Sequence, residues 1–393
     1  MISKRQFLAG AVVLGLSQFG SVALAQTPPL KIGFITTLSG PGGYIGADIR
    51  DGFRLAVDQE GGSLGGVAVE MVVEDDALKP AQAKTVLERM QKTSGIKLFS
   101  GIVFSNILAA VAPDILEAGG FYVSPNAAPS IFAGKGCNKN YFAVAWQNDT
   151  LHETAGIAAN ELGYKRAVIL APNYQAGKDA LTGFRRTFKG EVLDELYTRL
   201  DQTDFSAEIA KIRAAKPDVV FQFHPGGLGI AFIRQYSQSG LASSIPMVVP
   251  ESSLDSTILA AVGDAAIGIT ATTHWNADFP GSANSAFVSS FQQKYSRLPT
   301  VFASQSYETA LAVGAALRET RGNLDDAAAF RTAMLAAKFP TVRGKFKFAK
   351  NQHPIQDWWI LKVEKNSDGK PVLVTKNKIA SDYGDSYSAD CPL

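Results

Sequence analysis

Cysteine and histidine, the side chains that hold most transition metals, are nearly missing: the chain has two cysteines and four histidines in 393 residues. His152, His224, His274 and His353 are scattered, with no H-E-x-x-H or H-x-x-x-H pair, and the cysteines lack C-x-x-C spacing. Neither a metal centre nor a thiol redox pair is expected. Excess charge is missing as well, with 38 basic against 36 acidic residues. That balance gives no electrostatic case for nucleic acid or an anionic membrane surface. The longest apolar run falls well short of the ~20 residues that span a bilayer, and no low-complexity tract or internal repeat is visible.

The N-terminal sequence MISKRQFLAGAVVLGLSQFGSVALAQ has the three-part grammar of a secretory signal peptide. Lys4 and Arg5 form a basic start, Phe7 to Leu16 an apolar stretch, and Ala23-Leu24-Ala25 a small-residue cleavage site. Residues 1–25 are expected to be removed before Gln26. SKRQFL also resembles a twin-arginine export signal with Lys in the first position, so the export route stays open. No cysteine follows the site for a lipid anchor. Loss of Lys4 and Arg5 leaves 38 − 2 = 36 basic residues against 36 acidic ones, a net charge of zero. The mature chain is expected in the periplasm of a Gram-negative cell. In that oxidising compartment Cys137 and Cys391 most simply form one disulfide, pinning the C-terminal tail to the first lobe. About 368 mature residues exceed one ordinary domain, so two lobes are expected.

After the leader, strand and helix patterns alternate. KIGFITTL leads into a helix through Ile49, Phe53 and Val57, spaced four apart. VAVEMVVEDD is a second strand; Pro80 then opens a helix with Ala83, Val86, Leu87 and Met90 on one face, stopped at Gly95. IKLFSGIVF and FYVSP are strands around a helix through Ile107, Val111 and Ile115. The pattern restarts near Ala143 to Asp149, and RAVILAPN, EVLDELYT, DVVFQFH, IPMVVP and GITATTHW read as five further strands. Helices VFASQSYETALAVGAALRET and DDAAAFRTAMLAAKF follow, then strand-like GKFKFAK and DWWILKVEK. This order argues for parallel sheets covered by helices on both faces.

Gly40, Gly42 and Gly46 in LSGPGGYIG give G-x-G-x-x-x-G, one residue longer than the dinucleotide fingerprint, and nicotinamide cofactors do not belong to an exported chain. No cofactor is expected. GGSLG at Gly61–Gly65 matches a nucleophile elbow only formally, because it lies between a helix and a strand rather than the reverse. No constellation for covalent or acid–base catalysis stands out. Strand-end loops are more informative, since ligands of open α/β sheets bind at the carboxyl ends of strands. Ser105 and Asn106 stand where a helix begins. Asn126 and the amides of Ala127 and Ala128 open another, offering free N–H groups that suit a carboxylate. Capping and turn formation explain each loop separately. Tyr44, Tyr174, His224, Glu251 and Trp275 add polar and aromatic groups to the strand-end loops of both lobes.

Taken in order, IGFITTLSGPGGYIGADIRDGFRLAVDQEGG, SPNAAPS, NYQAGKDALTGFRR, FQFHPGGLGIAFIRQY and ASQSYETALAV resemble a type I periplasmic binding protein of the Leu/Ile/Val-binding family, over essentially the whole mature chain. The resemblance implies an α/β fold of two doubly wound, Rossmann-like lobes joined by three crossing strands, closing on a ligand like a flytrap. It places 28–144 plus 277–340 in lobe 1, 145–276 plus 341–380 in lobe 2, and 381–393 in the tail. It implies no catalysis, a small-molecule ligand, and as partners an inner-membrane permease and ATPase subunits of an ABC importer, with a monomeric binding protein. Ser105 and the Asn126–Ala128 loop correspond to ligand contacts of the first lobe; Tyr174, His224 and Glu251 fall where the second lobe closes.

One departure from the family pattern bears on the ligand. Amino-acid binders of this family usually carry threonine in S-P-x-A-T, where this chain has Ala128, and His224 stands where tyrosine is common. A buried ammonium needs acceptors, so the missing hydroxyl argues against a simple aliphatic amino acid. SPNAAPS, FHPGG, HWNAD and the tail cysteine resemble a subgroup associated with aromatic carboxylates such as benzoates or cinnamates. Trp275 and Tyr174 could stack on a ring, and a helix N-terminus or His224 could meet the carboxylate. Trp275 could equally be ordinary hinge packing. Glu251, able to pair an ammonium, keeps amino-acid binding open. A ligand-sensing module for a membrane receptor and an exported enzyme with a dispersed site are the competing classes.

Overall fold

The computed structural model describes residues 1 and 28–393, so the expected signal peptide lies, Met1 apart, outside the described residues. The first sheet is built from β1 (Leu30–Thr36), β2 (Ser63–Leu64), β3 (Val67–Asp75), β4 (Leu98–Ser100), β5 (Phe121–Ser124) and β6 (Tyr141–Ala143). Its order is β2-β3-β1-β4-β5-β6, parallel except for the β2–β3 hairpin. Helices α1 (Gly43–Gln59), α2 (Pro80–Ser94) and α3 (Ser105–Glu117) make the crossovers. Local signals set α2: Pro80 stands in its first turn, Ala83, Val86, Leu87 and Met90 are buried, and Gly95 ends it at φ +61°.

The second sheet contains β7 (Arg166–Pro172), β8 (Glu191–Thr198), β9 (Val219–Gln222), β10 (Met247–Pro250) and β11 (Thr270–Thr273), joined by β12 (Phe346–Phe348), β13 (Pro354–Lys365) and β14 (Pro371–Tyr383). The order is β12-β13-β11-β10-β9-β7-β8, with β14 hydrogen-bonded to β13. Helices α4 (Asn148–Glu161), α5 (Gln175–Thr187), α6 (Ser206–Ala215), α7 (Gly227–Gln238) and α8 (Ser256–Val262) cover it. Alternation along the strands separates two faces. Ala167, Ile169, Val219, Phe221 and Val248 join one buried cluster, while Val168, Leu170, Val220, Met247 and Val249 join the other. The long strand β14 was not expected from sequence, because Lys376, Asn377 and Lys378 interrupt its apolar pattern. A tight turn, in which Asn366 and Lys370 are hydrogen-bonded at 2.9 Å, sends it back along β13.

Helices α9 (Ser282–Tyr295), α10 (Val301–Thr320) and α11 (Ala327–Leu335) lie with the first sheet. The Tyr295 hydroxyl donates to the Asp51 carbonyl at 3.0 Å, and Thr300 Oγ1 donates to Asp48 at 2.6 Å. Helices α1 and α10 touch so closely that a Cβ at Gly52 would meet the Ala303 carbonyl oxygen at 2.1 Å.

The chain passes between the sheets after β6, after β11 and after α11. A buried ion pair ties the first and third passages together: the Arg343 guanidinium meets Glu308 of α10, and its Nη1 donates to the carbonyls of Val144 at 2.8 Å and Ala145 at 3.0 Å. The same nitrogen reaches Gln356 of β13 at 2.7 Å. Cys137 and Cys391 form a disulfide with Cα atoms 5.7 Å apart. The tail also reaches the second lobe, where Tyr387 and Ser386 hydroxyls each donate at 2.7 Å to Asp149 and Glu153 of α4. It therefore straps both lobes rather than the first alone.

Candidate functional site

The carboxyl ends of both sets of parallel strands face one another, and a small, partly enclosed cavity lies between them. From the first lobe it is lined by Ile45 of α1, Val103, Phe104 and Ser105 after β4, Asn126 and Ala127 after β5, and Phe302 of α10. Trp146 contributes from the first crossing. From the second lobe come Asn148, Leu151 and His152 of α4, Tyr174 and Ala176 after β7, Phe223 and Pro225 after β9, and Ser252 after β10.

Aromatic rings make the walls. The Tyr174 ring lies nearly parallel to Phe223 at 6.4 Å, and Phe104 approaches Tyr174 from the other lobe at 6.2 Å. Among the lining residues none is Asp, Glu, Lys or Arg. His152 is held neutral, since burial pushes its pKa down to about 3. The first turn of α3 has amides without intrahelical acceptors at Ser105. Ser105 Oγ accepts from Asn148 Nδ2 at 3.0 Å, so its own hydrogen remains for an acceptor in the cavity.

The lobes touch across this cleft. The Tyr44 hydroxyl donates to Asp255 Oδ2 at 2.6 Å, Gly227 N donates to the Pro41 carbonyl at 3.2 Å, and Ser130 Oγ donates to Asp179 at 2.7 Å. Burial raises the pKa of Asp179, opposed by hydrogen bonds from Ser130, Gln175 and Asn148. The glycine-rich loop serves two ends here. A Cβ on Gly46 would lie 1.8 Å from the Thr37 carbonyl oxygen, so glycine is needed for the tight turn from β1 into α1. Pro41 in the same loop is the second lobe's hydrogen-bond acceptor.

Of the residues singled out from sequence, Ser105, Asn126, Ala127 and Tyr174 line the cavity together. The others do not. Tyr44 is the latch to Asp255 just described. Asn106 does not line the cavity, and its Oδ1 is buried without a protein partner. Ala128 cannot offer its amide, which donates to Asn148 Oδ1 at 3.1 Å. His224 is a core residue: its ring nitrogens meet Thr198 Oγ1 at 2.9 Å and Gln222 Oε1 at 2.8 Å, and its ring stacks on Phe232. Burial lowers its pKa to about 3, so it supplies no cation for a carboxylate. Glu251 is buried against Thr273, and burial raises its pKa well above the ordinary carboxylate range. Thr273 Oγ1 also meets the Trp275 carbonyl at 2.6 Å, so Glu251 belongs to a chain of contacts internal to the protein. Trp275 donates its indole N–H to Asn284 at 2.7 Å and stands edge-on to Phe287. Its contacts are those of hinge packing.

The residues missed were chiefly neighbours of those named. Phe104 precedes Ser105, Phe223 and Pro225 flank His224, and Ser252 follows Glu251. Strand alternation was the signal available: Phe221 and Phe223 share one buried cluster, whereas Val220 and the Phe232 ring beneath His224 belong to the other. Trp146 and His152 carried no motif.

A family model described as "Periplasmic binding protein" matches residues 29–370. The chain belongs to the periplasmic binding protein family. Among solved structures it is similar to a solute-binding protein of an ABC transporter from R. palustris in complex with benzoate. The TM-score is 0.87 and the identity 29%, covering 93% of this chain and 100% of the other. A second R. palustris solute-binding protein, in complex with 4-hydroxybenzoate, aligns with TM-score 0.83 at 26% identity, covering 90% and 98% of the two chains. A curated relative, the Leu/Ile/Val-binding protein homolog 6 of Brucella melitensis, is 26% identical over 359 residues, 89% of this chain and 91% of its own. The fold is that of type I periplasmic binding proteins, and the protein is a periplasmic solute-binding component of an ABC transporter. The two R. palustris relatives are solute-binding proteins. That role implies a small-molecule ligand and a membrane permease as partners.

Proposed function

We propose that the protein captures an aromatic carboxylate between its lobes and delivers it, as a monomer, to the permease and ATPase of an importer. The observation that carries this reading is the cavity wall: aromatic rings from both lobes, hydroxyl and amide groups, and no acidic side chain. An α-amino acid would bring an ammonium with no carboxylate to meet it, since Glu251 is off the wall and buried against Thr273. A benzoate-like ligand needs only flat apolar walls and donors for one carboxylate. The Ser105 hydroxyl and the first amides of α3 are such donors, at the positive end of a helix. Likeness to benzoate-binding and 4-hydroxybenzoate-binding proteins points the same way.

The test is a thermal-shift and calorimetry series on protein unfolded and refolded to remove carried ligand. Benzoate, 4-hydroxybenzoate, cinnamate and leucine would be compared. A ligand at a hundred times its Kd stabilises by about 2.7 kcal/mol, so an aromatic acid is expected to raise the transition and leucine to leave it unchanged. A shift with leucine and none with aromatic acids overturns the proposal.

A further inference from the structure

Hydrogen-bond supply around the cavity is uneven. In the half that holds Ser105, the amide side chains are satisfied within the protein. Asn126 donates to the Val103 carbonyl at 2.6 Å and accepts from Gln305 at 2.8 Å. Asn148 donates to Ser105 and to Asp179, each at 3.0 Å, and accepts the Ala128 amide. In the other half, two lining side chains have no protein partner at all for a buried atom: His152 Nδ1 and Ser252 Oγ. Their residues are only 1% and 3% exposed. His152 sits at the start of the second turn of α4, which packs against β10, the strand that leads into Ser252. Apolar rings surround the imidazole, with Phe223 at 4.7 Å and Phe221 at 5.8 Å, so the protein itself offers it nothing.

A buried polar atom without a partner is costly, and native proteins satisfy nearly all of them. The two orphans on one wall of a ligand cavity are therefore read as groups completed by the ligand. Resting on the aromatic-carboxylate reading above, we infer that His152 and Ser252 form a second polar subsite that selects acids carrying a hydroxyl on the ring. The chemistry of the occupant follows from the donors. A neutral imidazole has one donor and one acceptor nitrogen, and a serine hydroxyl can be either. A phenolic hydroxyl both donates and accepts, so it matches whichever tautomer His152 adopts. A second carboxylate could only accept, and an ammonium could only donate. The carboxylate itself is left to Ser105 and α3 at the other end.

The experiment measures Kd by calorimetry for benzoate, 3-hydroxybenzoate and 4-hydroxybenzoate on the wild type, His152→Phe and Ser252→Ala. Far-ultraviolet circular dichroism and the melting transition of each variant establish that it folds. One hydroxybenzoate is expected to bind the wild type about tenfold or more tighter than benzoate, the discrimination of a site built to meet a hydroxyl. His152→Phe is expected to bring that ratio within about threefold, and the smaller Ser252→Ala change to lower the ratio in the same direction. An unchanged ratio in both folded variants overturns the inference. So does a parallel loss of benzoate binding, which would mean that His152 holds the carboxylate. A wild type that prefers benzoate also overturns it but leaves the aromatic-acid reading standing. A wild type that binds no aromatic acid overturns both.

Discussion

Replacing Tyr44 by phenylalanine removes a single oxygen from the contact between the lobes. In the wild type that hydroxyl donates to Asp255 at 2.6 Å, and Asp255 also caps α8 through the amides of Thr257 and Ile258. Burial pushes the Asp255 pKa up to about 6, with the Tyr44 hydroxyl and the two amides pulling back. When the lobes part, both groups regain water, so the bond counts almost wholly toward closure. Above pH 7 Asp255 is ionised, and a hydrogen bond to a charged group contributes about 1.5–3 kcal/mol. Tyr44→Phe is therefore expected to weaken ligand binding roughly ten- to hundredfold at pH 8. The sign of the pH dependence follows from the raised pKa. A water-exposed aspartate titrates near ~3.9, so closure takes up a proton between there and about pH 6. Stabilisation by that proton is complete below the lower value and is lost as pH rises through the upper one. At pH 5 the bond removed joins two neutral groups and contributes only about 1 kcal/mol, so the ratio of Kd values narrows to about fivefold. Calorimetry at both pH values on wild type and variant, with one aromatic acid, cancels the ligand's own ionisation. A ratio below about threefold at pH 8, or one that widens toward pH 5, would refute the latch.

Arg343→Met leaves Glu308 buried without its partner and strips donors from the Val144 and Ala145 carbonyls; a loss of about 3–5 kcal/mol is expected in urea unfolding. The disulfide joins residues 254 apart in sequence. The chain-entropy relation gives up to about 5.5 kcal/mol for such a loop, and native disulfides typically contribute less, so Cys391→Ser should lower stability by about 2–5 kcal/mol, and the unfolded, unreduced wild type should show no reactive thiol. His224→Phe should leave ligand affinity within about twofold while lowering the melting transition, because the Thr198 and Gln222 side chains lose buried partners; a tenfold loss of affinity would place His224 at the ligand after all.

Strong local signals made much of the fold legible. Pro80 and Gly95 bound α2, and Val301–Thr320 forms one helix over the whole segment read as helical. What sequence did not reveal was which side of a strand end faces the cleft. His224 and Glu251 are the polar residues of their loops, and polarity drew attention to them. Yet a side chain one place along a strand points to the opposite face. The apolar Phe223 and the small Ser252 line the cavity, while His224 and Glu251 satisfy themselves within the protein. Long-range partners were equally hidden: nothing near Asp255 in sequence announces Tyr44, 211 residues earlier.

Trp146 shows why ligand choice and lobe motion are one problem in this protein. Its ring lines the cavity, yet it stands in the first passage between the lobes. It lies edge-on to His274 of the second passage at 5.5 Å and to Phe302 of α10 at 6.4 Å. His274 in turn packs edge-on to Trp358 of β13 at 5.5 Å. Those rings bear against the strands that must bend when the cleft opens, beside carbonyls that Arg343 holds. On the aromatic-acid proposal, a flat ring seated on Trp146 would bear on the hinge directly, whereas a thin aliphatic chain would leave that wall partly uncovered. Since a ligand shifts an equilibrium only by its differential contacts with the two states, the proposed aromatic ligand at Trp146 and the Tyr44–Asp255 latch would act on the same closure.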